Sequence, residues 1–209
     1  MNDFPTMSAE GKTLVFESNR SGHFAVWRAD ADGANMRQLT GDEVAAQPAI
    51  SPDGKWIVYN SSRDEPGILW RIPAEGGVPI QLTQGNTIWP RFSPDGRFIA
   101  CGYIADDKKR VAVFSIDGGA PLQLFDVPRL ADFVFGVNWT TDGTAIVYRD
   151  WANGLWLQPI TGGEPQRVKG LPEERPWGFG WSRDGKLFAS ARGTQISDVV
   201  LISNSPEGR

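Results

Sequence analysis

The sequence predicts an all-β fold, a β-propeller of about five blades of four antiparallel strands, and three observations carry that reading. The first is composition: 24 Gly, 15 Pro and 9 Trp, with 11 % aromatics, in 209 residues. Such a chain turns often and packs large flat side chains, which suits many short strands. The second is a repeated turn. Ser51-Pro52-Asp53-Gly54-Lys55 recurs as Ser93-Pro94-Asp95-Gly96-Arg97, Thr140-Thr141-Asp142-Gly143-Thr144 and Ser182-Arg183-Asp184-Gly185-Lys186, with Ser8-Ala9-Glu10-Gly11-Lys12 as a weaker first copy. The third is the period. The turn glycines are separated by 43, 42, 47 and 42 residues, the size of one four-stranded blade.

Each copy carries its neighbours in register. Ahead of the turn lie Pro5–Ser8, Pro48–Ser51, Pro90–Ser93, Gly136–Trp139 and Gly178–Trp181; short and opened by Pro or Gly, they suit the crowded centre and are expected as innermost strands. Asp-Gly is then the hairpin turn to the second strand, with Asp bonding nearby N–H groups and Gly left-handed. Second strands follow at Leu14–Phe16, Ile57–Tyr59, Ile99–Cys101, Ile146–Tyr148 and Phe188–Ser190. Apolar on consecutive residues, they have both faces covered by neighbouring sheets. Third strands are expected at Ala25–Trp27, Ile68–Trp70, Ala112–Phe114, Leu155–Leu157 and Val199–Leu201. Asp32-Gly33, Gly76-Gly77, Gly118-Gly119 and Gly162-Gly163 then supply tight turns, because glycine takes positive φ at no steric cost. Outer strands follow at Arg37–Thr40, Ile80–Thr83, Leu122–Phe125 and Gln166–Lys169, with Pro79, Pro121 and Pro165 just ahead of three of them, as an edge tolerates.

The pattern Ser-Pro-Asp-Gly-Lys/Arg, apolar triplet, Leu-Trp third strand, Gly-Gly and Gln-Leu-Thr resembles the WD40-like propeller repeat of the TolB family, over residues 5–204. The resemblance implies a propeller acting as a non-catalytic module for protein–protein interaction or ligand sensing. Its closing stretch is similar to the C-terminal propeller of bacterial regulators and serine/threonine kinases, which implies the C-terminal sensor part of a larger signalling protein. Blades are expected at about 4–44, 45–86, 87–132, 133–174 and 175–204. The fifth copy ends at Ile202-Ser203-Asn204 without an outer strand. Two architectures remain open: a five-bladed ring with a three-stranded last blade, or a fragment of a larger propeller. The resemblance implies a periplasmic or extracytoplasmic setting for a longer parent protein.

Charge and composition exclude several classes. With 21 basic and 25 acidic residues and a net charge of −4, no general positive field draws a phosphate backbone, so no nucleic-acid partner is expected. No stretch approaches the roughly 18 apolar residues of a membrane span, and the start Met1-Asn2-Asp3-Phe4-Pro5 has no signal-peptide pattern. Neither export by its own signal nor direct membrane insertion is expected. Cys101, the one cysteine, lies in an apolar run and reads as a small buried hydrophobe. One Cys and one His, His23, cannot assemble a zinc site. No cofactor is expected.

An enzyme needs residues in place, since a fold does not supply activity. The Gly-x-Ser-x-Gly elbow of α/β hydrolases, with its histidine last in chain order, is absent, and His23, the one histidine, lies in a polar loop near the start of the chain. The enzymatic alternative is a five-bladed glycoside hydrolase, which requires paired carboxylates on the inner strands. The inner-strand segments hold no Asp or Glu. Asp3 and Asp132 lie just before two of them, and Glu43, Glu173 and Glu174 fall on connecting loops. The propeller domain of a prolyl oligopeptidase-like peptidase is a further alternative.

What remains is a binding face. Loops between outer and next inner strands carry Trp89, Arg129, Asp132, Phe133, Arg175 and Trp177; loops between second and third strands carry Arg20, Arg63, Lys108, Lys109, Arg110, Arg149, Asp150, Trp151 and Arg192. Aromatics beside arginines are enriched at interaction hot spots. Trp89, Arg129, Phe133, Trp151, Arg175 and Trp177 are therefore the expected contacts for a protein, peptide or small ligand at the channel mouth. The competing reading has Trp89 and Trp177 plugging the channel and packing blades together.

Overall fold

A computed structural model describes residues 2–41, 44–61, 67–106, 108–127, 136–150, 154–169, 176–182 and 186–192. All its regular elements are strands. Blade 1 comprises β1 (Asn2–Met7), β2 (Thr13–Ser18), β3 (Ala25–Asp30) and β4 (Arg37–Gln38). Blade 2 comprises β5 (Ala45–Ile50), β6 (Trp56–Ser61), β7 (Ile68–Pro73) and β8 (Ile80–Gln81). Blade 3 comprises β9 (Asn86–Phe92), β10 (Phe98–Ala105), β11 (Lys108–Ser115) and β12 (Gln123–Asp126). Blade 4 comprises β13 (Val137–Trp139), β14 (Ala145–Asp150), β15 (Gly154–Pro159) and β16 (Gln166–Arg167). β17 (Pro176–Trp181) pairs with β18 (Phe188–Arg192) in a two-stranded sheet. The expected third strand at Val199–Leu201 lies outside the described residues.

Each four-stranded sheet is an antiparallel meander in chain order, and successive sheets pack in propeller fashion. β5 packs on β2 and β3 of the preceding blade, and β9 on β6 and β7. Second strands have both faces covered, as their unbroken apolar runs require: Ile57, Val58 and Tyr59, like Ile146, Val147 and Tyr148, are fully buried. Cys101 is buried among Ala112 and Phe114, and that burial pushes its thiol far above the ordinary range.

The repeated turn owes its form to its side chains. Ser51 Oγ donates to Asp53 Oδ1 (2.6 Å), which also accepts the Lys55 N–H (3.1 Å), while Ser51 Oγ accepts the Trp56 N–H (2.9 Å). Ser93 with Asp95, and Thr140 with Asp142, repeat the set. The hydroxyl bond, chiefly, holds each of these carboxyls below its ordinary pKa. Gly54, Gly96 and Gly143 take φ of 72°, 72° and 70°, so this copy-to-copy identity is structural.

The outer strands of blades 1, 2 and 4 are shorter than their sequence implies, and in the first two the Gln-Leu-Thr motif explains how they end. Leu39 and Leu82 still donate to Val26 O and Leu69 O. The next pairing is made by a side chain: Thr40 Oγ1 accepts the Val26 N–H and Thr83 Oγ1 the Leu69 N–H. The hydroxyl replaces a ladder carbonyl and leaves no buried N–H orphaned.

Candidate functional site

The inner strands define the axis, and each of the first three contains a bulge that sequence reading does not show. β1 advances three residues against two on β2 between Asp3 and Thr6; β5 does the same between Ala46 and Ala49, and β9 between Ile88 and Arg91. At the bulges Phe4, Gln47 and Trp89 sit at φ of 53°, 56° and 56°, each followed by proline, and the equivalent Gly136 is at 132°. A non-glycine residue there costs on the order of 1–3 kcal/mol. A bulge re-aims the side chains on either side of it, and these turn toward the axis.

Around the bulges a polar chain links three blades. Glu17, buried at the end of β2, accepts the Gln47 N–H at 2.6 Å. Gln47 Oε1 in turn accepts the Trp89 N–H at 2.8 Å and Asn60 Nδ2 at 2.7 Å, and Asn60 Oδ1 accepts the Thr87 hydroxyl at 3.0 Å. Phe4 and Trp89 meet edge-to-face with centroids 4.4 Å apart. They belong to blades 1 and 3, with blade 2 between them in the chain, so this pair reaches across the inner strands past the neighbouring blade.

The loop placement expected for Trp89 is thereby corrected. Trp89 lies within β9 and is 7 % exposed, because its left-handed backbone turns the ring inward against Phe4. Trp177 falls on β17, not on a loop. Asp3 belongs to β1 rather than preceding it. Lys108, Lys109 and Arg110 are on β11, Arg149 and Asp150 on β14 and Arg192 on β18; the third-blade hairpin is longer than its apolar core suggests. Arg149 is fully buried. Arg20 stacks over Phe16 and Trp27. Arg63, Arg129, Asp132, Phe133, Trp151 and Arg175 lie outside the described residues, as do Glu43, Glu173 and Glu174. His23 Nε2 bonds Gly41 O at 2.8 Å, a loop-bracing contact.

On the other side of the bulges, toward the Asp-Gly turns, the inner strands enclose a funnel of about 390 Å³. Thr6, Ala49, Arg91, Asn138 and Gly180 occupy the same position in the five repeats and all line it. Met7, Ile50, Phe92, Trp139 and Trp181, one residue on, complete the wall. Among the described residues no carboxylate lines the funnel. A larger cleft of about 730 Å³ at the outer seam of blades 2 and 3, between Thr83, Tyr103 and Pro121, has no charged side chain among its described lining residues. Among the described residues no group of three His, Cys, Asp or Glu could hold a metal ion.

The arrangement has solved counterparts. A TolB protein of Agrobacterium tumefaciens superposes with a TM-score of 0.74 over 94 % of this chain and 72 % of its own length, at 21 % identity. TolB of Acinetobacter baumannii superposes with a TM-score of 0.68 over 90 % of this chain at 17 % identity, and the chain spans 48 % of its length. The fold is a TolB-type propeller. No family model matches the sequence, and no curated protein is similar to it. In this TolB-type frame the four complete blades and β17 together line the funnel, and β17 sits beside blade 4, where Asn138 Nδ2 donates to Phe179 O at 3.1 Å.

Proposed function

We propose that the chain is a non-catalytic, TolB-like module of five blades, the last begun by β17 and β18, that works by binding a protein, peptide or small ligand on its axis. The observation that carries this reading is the wall of the funnel. At the five equivalent positions stand Thr6, Ala49, Arg91, Asn138 and Gly180, a set that can bind but offers no acid–base pair. Glycoside hydrolysis requires two carboxylates about 5–10 Å apart. The buried Glu17 is instead engaged with the Gln47 backbone. Service as the C-terminal sensor part of a larger signalling protein fits a module of this kind. The far mouth, with Arg129, Phe133, Trp151, Arg175 and Trp177, is the proposed contact for a protein partner.

The test is a hydrolysis assay on 4-nitrophenyl glycosides and peptidyl anilides. The chain is expected to give no turnover above a heat-denatured control, and turnover that disappears in Glu17→Gln overturns the module reading. For the partner face, Arg175→Ala with Trp177→Ala is expected to abolish capture of a partner protein in a pull-down; undiminished capture removes that face.

A further inference from the structure

Arg91 is the anomaly of the funnel. The partly buried arginines on the third strands of blades 1 to 3 are neutralised: Arg28 by Glu75, Arg71 by Asp117 and Arg110 by Asp126. The guanidinium of Arg91, half-buried at the wall position of β9, donates from Nη1 to the carbonyl of its own neighbour Pro90 at 2.9 Å. Among the described residues no carboxylate pairs with it. Burial alone acts on this guanidinium, pushing its pKa down from the ordinary value. An uncompensated cation away from bulk water is costly, and nothing about packing demands one here, since the equivalent residues are Thr6, Ala49, Asn138 and Gly180.

The surroundings have the complementary features of a ligand site. Ala49 and Gly180 are small, and a Cβ added at Gly180 would meet nothing within 4 Å. Thr6 Oγ1 is buried in the same wall and has no protein partner, so it retains a hydroxyl able to donate. Trp181 and Met7 add apolar surface, Met7 being 51 % exposed. A volume of about 390 Å³ falls in the range of small-molecule pockets. A guanidinium presents parallel N–H groups that match a carboxylate.

We propose that the funnel binds a small organic acid, its carboxylate on Arg91 with the Thr6 hydroxyl as second donor and its apolar body against Trp181 and Met7. The site deepens the binding-module reading and rests on it, naming the chemical class of one ligand.

The experiment is a ligand-observed NMR titration of the intact chain at low ionic strength with benzoate, beside its neutral isostere benzamide. Benzoate is expected to bind and benzamide to bind at least about tenfold more weakly, since a charge-assisted pair is lost. Arg91→Met is expected to abolish the difference between the two, Arg91→Lys to retain part of it, and Thr6→Val to weaken benzoate alone. Equal binding of benzoate and benzamide, or benzoate binding unchanged in Arg91→Met, overturns the proposal. The benzamide comparison needs no substitution, so a variant that fails to fold does not shield the idea. Binding of an acetylated dipeptide acid without binding of benzoate would overturn the small-acid assignment in favour of a peptide C-terminus. None of these outcomes touches the hydrolysis assay, so failure of the anion site and failure of the non-catalytic reading are separable.

Discussion

The seams between blades 1 and 2 and between blades 2 and 3 are closed by arginine clamps, whereas the seam between blades 3 and 4 is closed by aromatic packing. At the first seam Arg28 of β3 donates to Ala74 O at 2.9 Å and binds the Glu75 carboxylate, which Arg37 joins at 2.8 Å. At the second, Arg71 of β7 donates to Ile116 O at 2.8 Å and to Asp117 at 3.2 Å. The position recurs in β11 as Val113, across from Ala100 as Arg28 is across from Val15. Val113 packs with Trp89, Phe125, Trp139 and Tyr148, and with Ile160 of the next blade. Both ends of the clamp change together, since Thr161 follows Ile160 where Glu75 and Asp117 follow Ala74 and Ile116. A lone arginine or a lone acid left at that seam would have been an unpaired charge. One propeller thus uses two closures, a directional polar one and a space-filling one, and they respond differently to perturbation.

The largest effect is expected at the aromatic seam. Trp139→Ala removes a ring that is 7 % exposed and whose Nε1 donates to Arg91 O at 3.0 Å, and should cost about 3–5 kcal/mol in urea unfolding. A loss below 1 kcal/mol would mean that the cluster does not hold the seam. Next comes Gly118→Ala. Gly118 is at φ 82° and an added Cβ would lie 2.8 Å from Leu82 O, so the turn and the second seam must both shift. About 1–3 kcal/mol is expected, and an unchanged melting temperature would show that this close approach is not rigid.

Breaking a clamp should matter less. Arg71→Met strips Ile116 O and Asp117 of their donor but keeps the stem over Trp56, where the guanidinium now stacks at 4.7 Å. A loss of about 1 kcal/mol is expected, and unlike the tryptophan variant its difference from the parent should shrink in 1 M salt. Smallest is the effect of pH through Glu75. The hydrogen bond from Arg28 holds its carboxyl below the ordinary value. Its folded pKa being depressed, the contribution is present above the unfolded carboxylate range of about 4 and is lost as pH falls through the folded pKa. Glu75→Gln should flatten that acid limb of the stability curve slightly, because the carboxylate is 78 % exposed; the same limb retained in full would remove Glu75 from the clamp.

How far the site was legible depends on which residues are considered. The turns were readable because Ser51, Asp53 and Gly54 act within five residues of one another, so composition and geometry coincide. Trp89 was misplaced for a definite reason. A Trp before Pro at the start of a strand looks like loop, and the left-handed bulge that buries it leaves no periodicity of its own. A usable signal did exist in the repeated X-Pro at 4–5, 47–48 and 89–90, each in register with the turn. Arg91 could be placed on an inner strand, but its lack of a carboxylate partner could not, since that depends on what four other strands bring to the axis.

The sequence by itself determined the strand order, the hairpin turns and the blade period, because each is set by contacts within about 42 residues of chain and repeated until chance is excluded. Only the tertiary structure decided that Phe4 meets Trp89 past the neighbouring blade, that Glu17 is committed to the Gln47 backbone and that Arg91 faces an open funnel. Those facts arise between residues of different blades, where the packing of one repeat against another, and not its own pattern, sets the environment of each side chain.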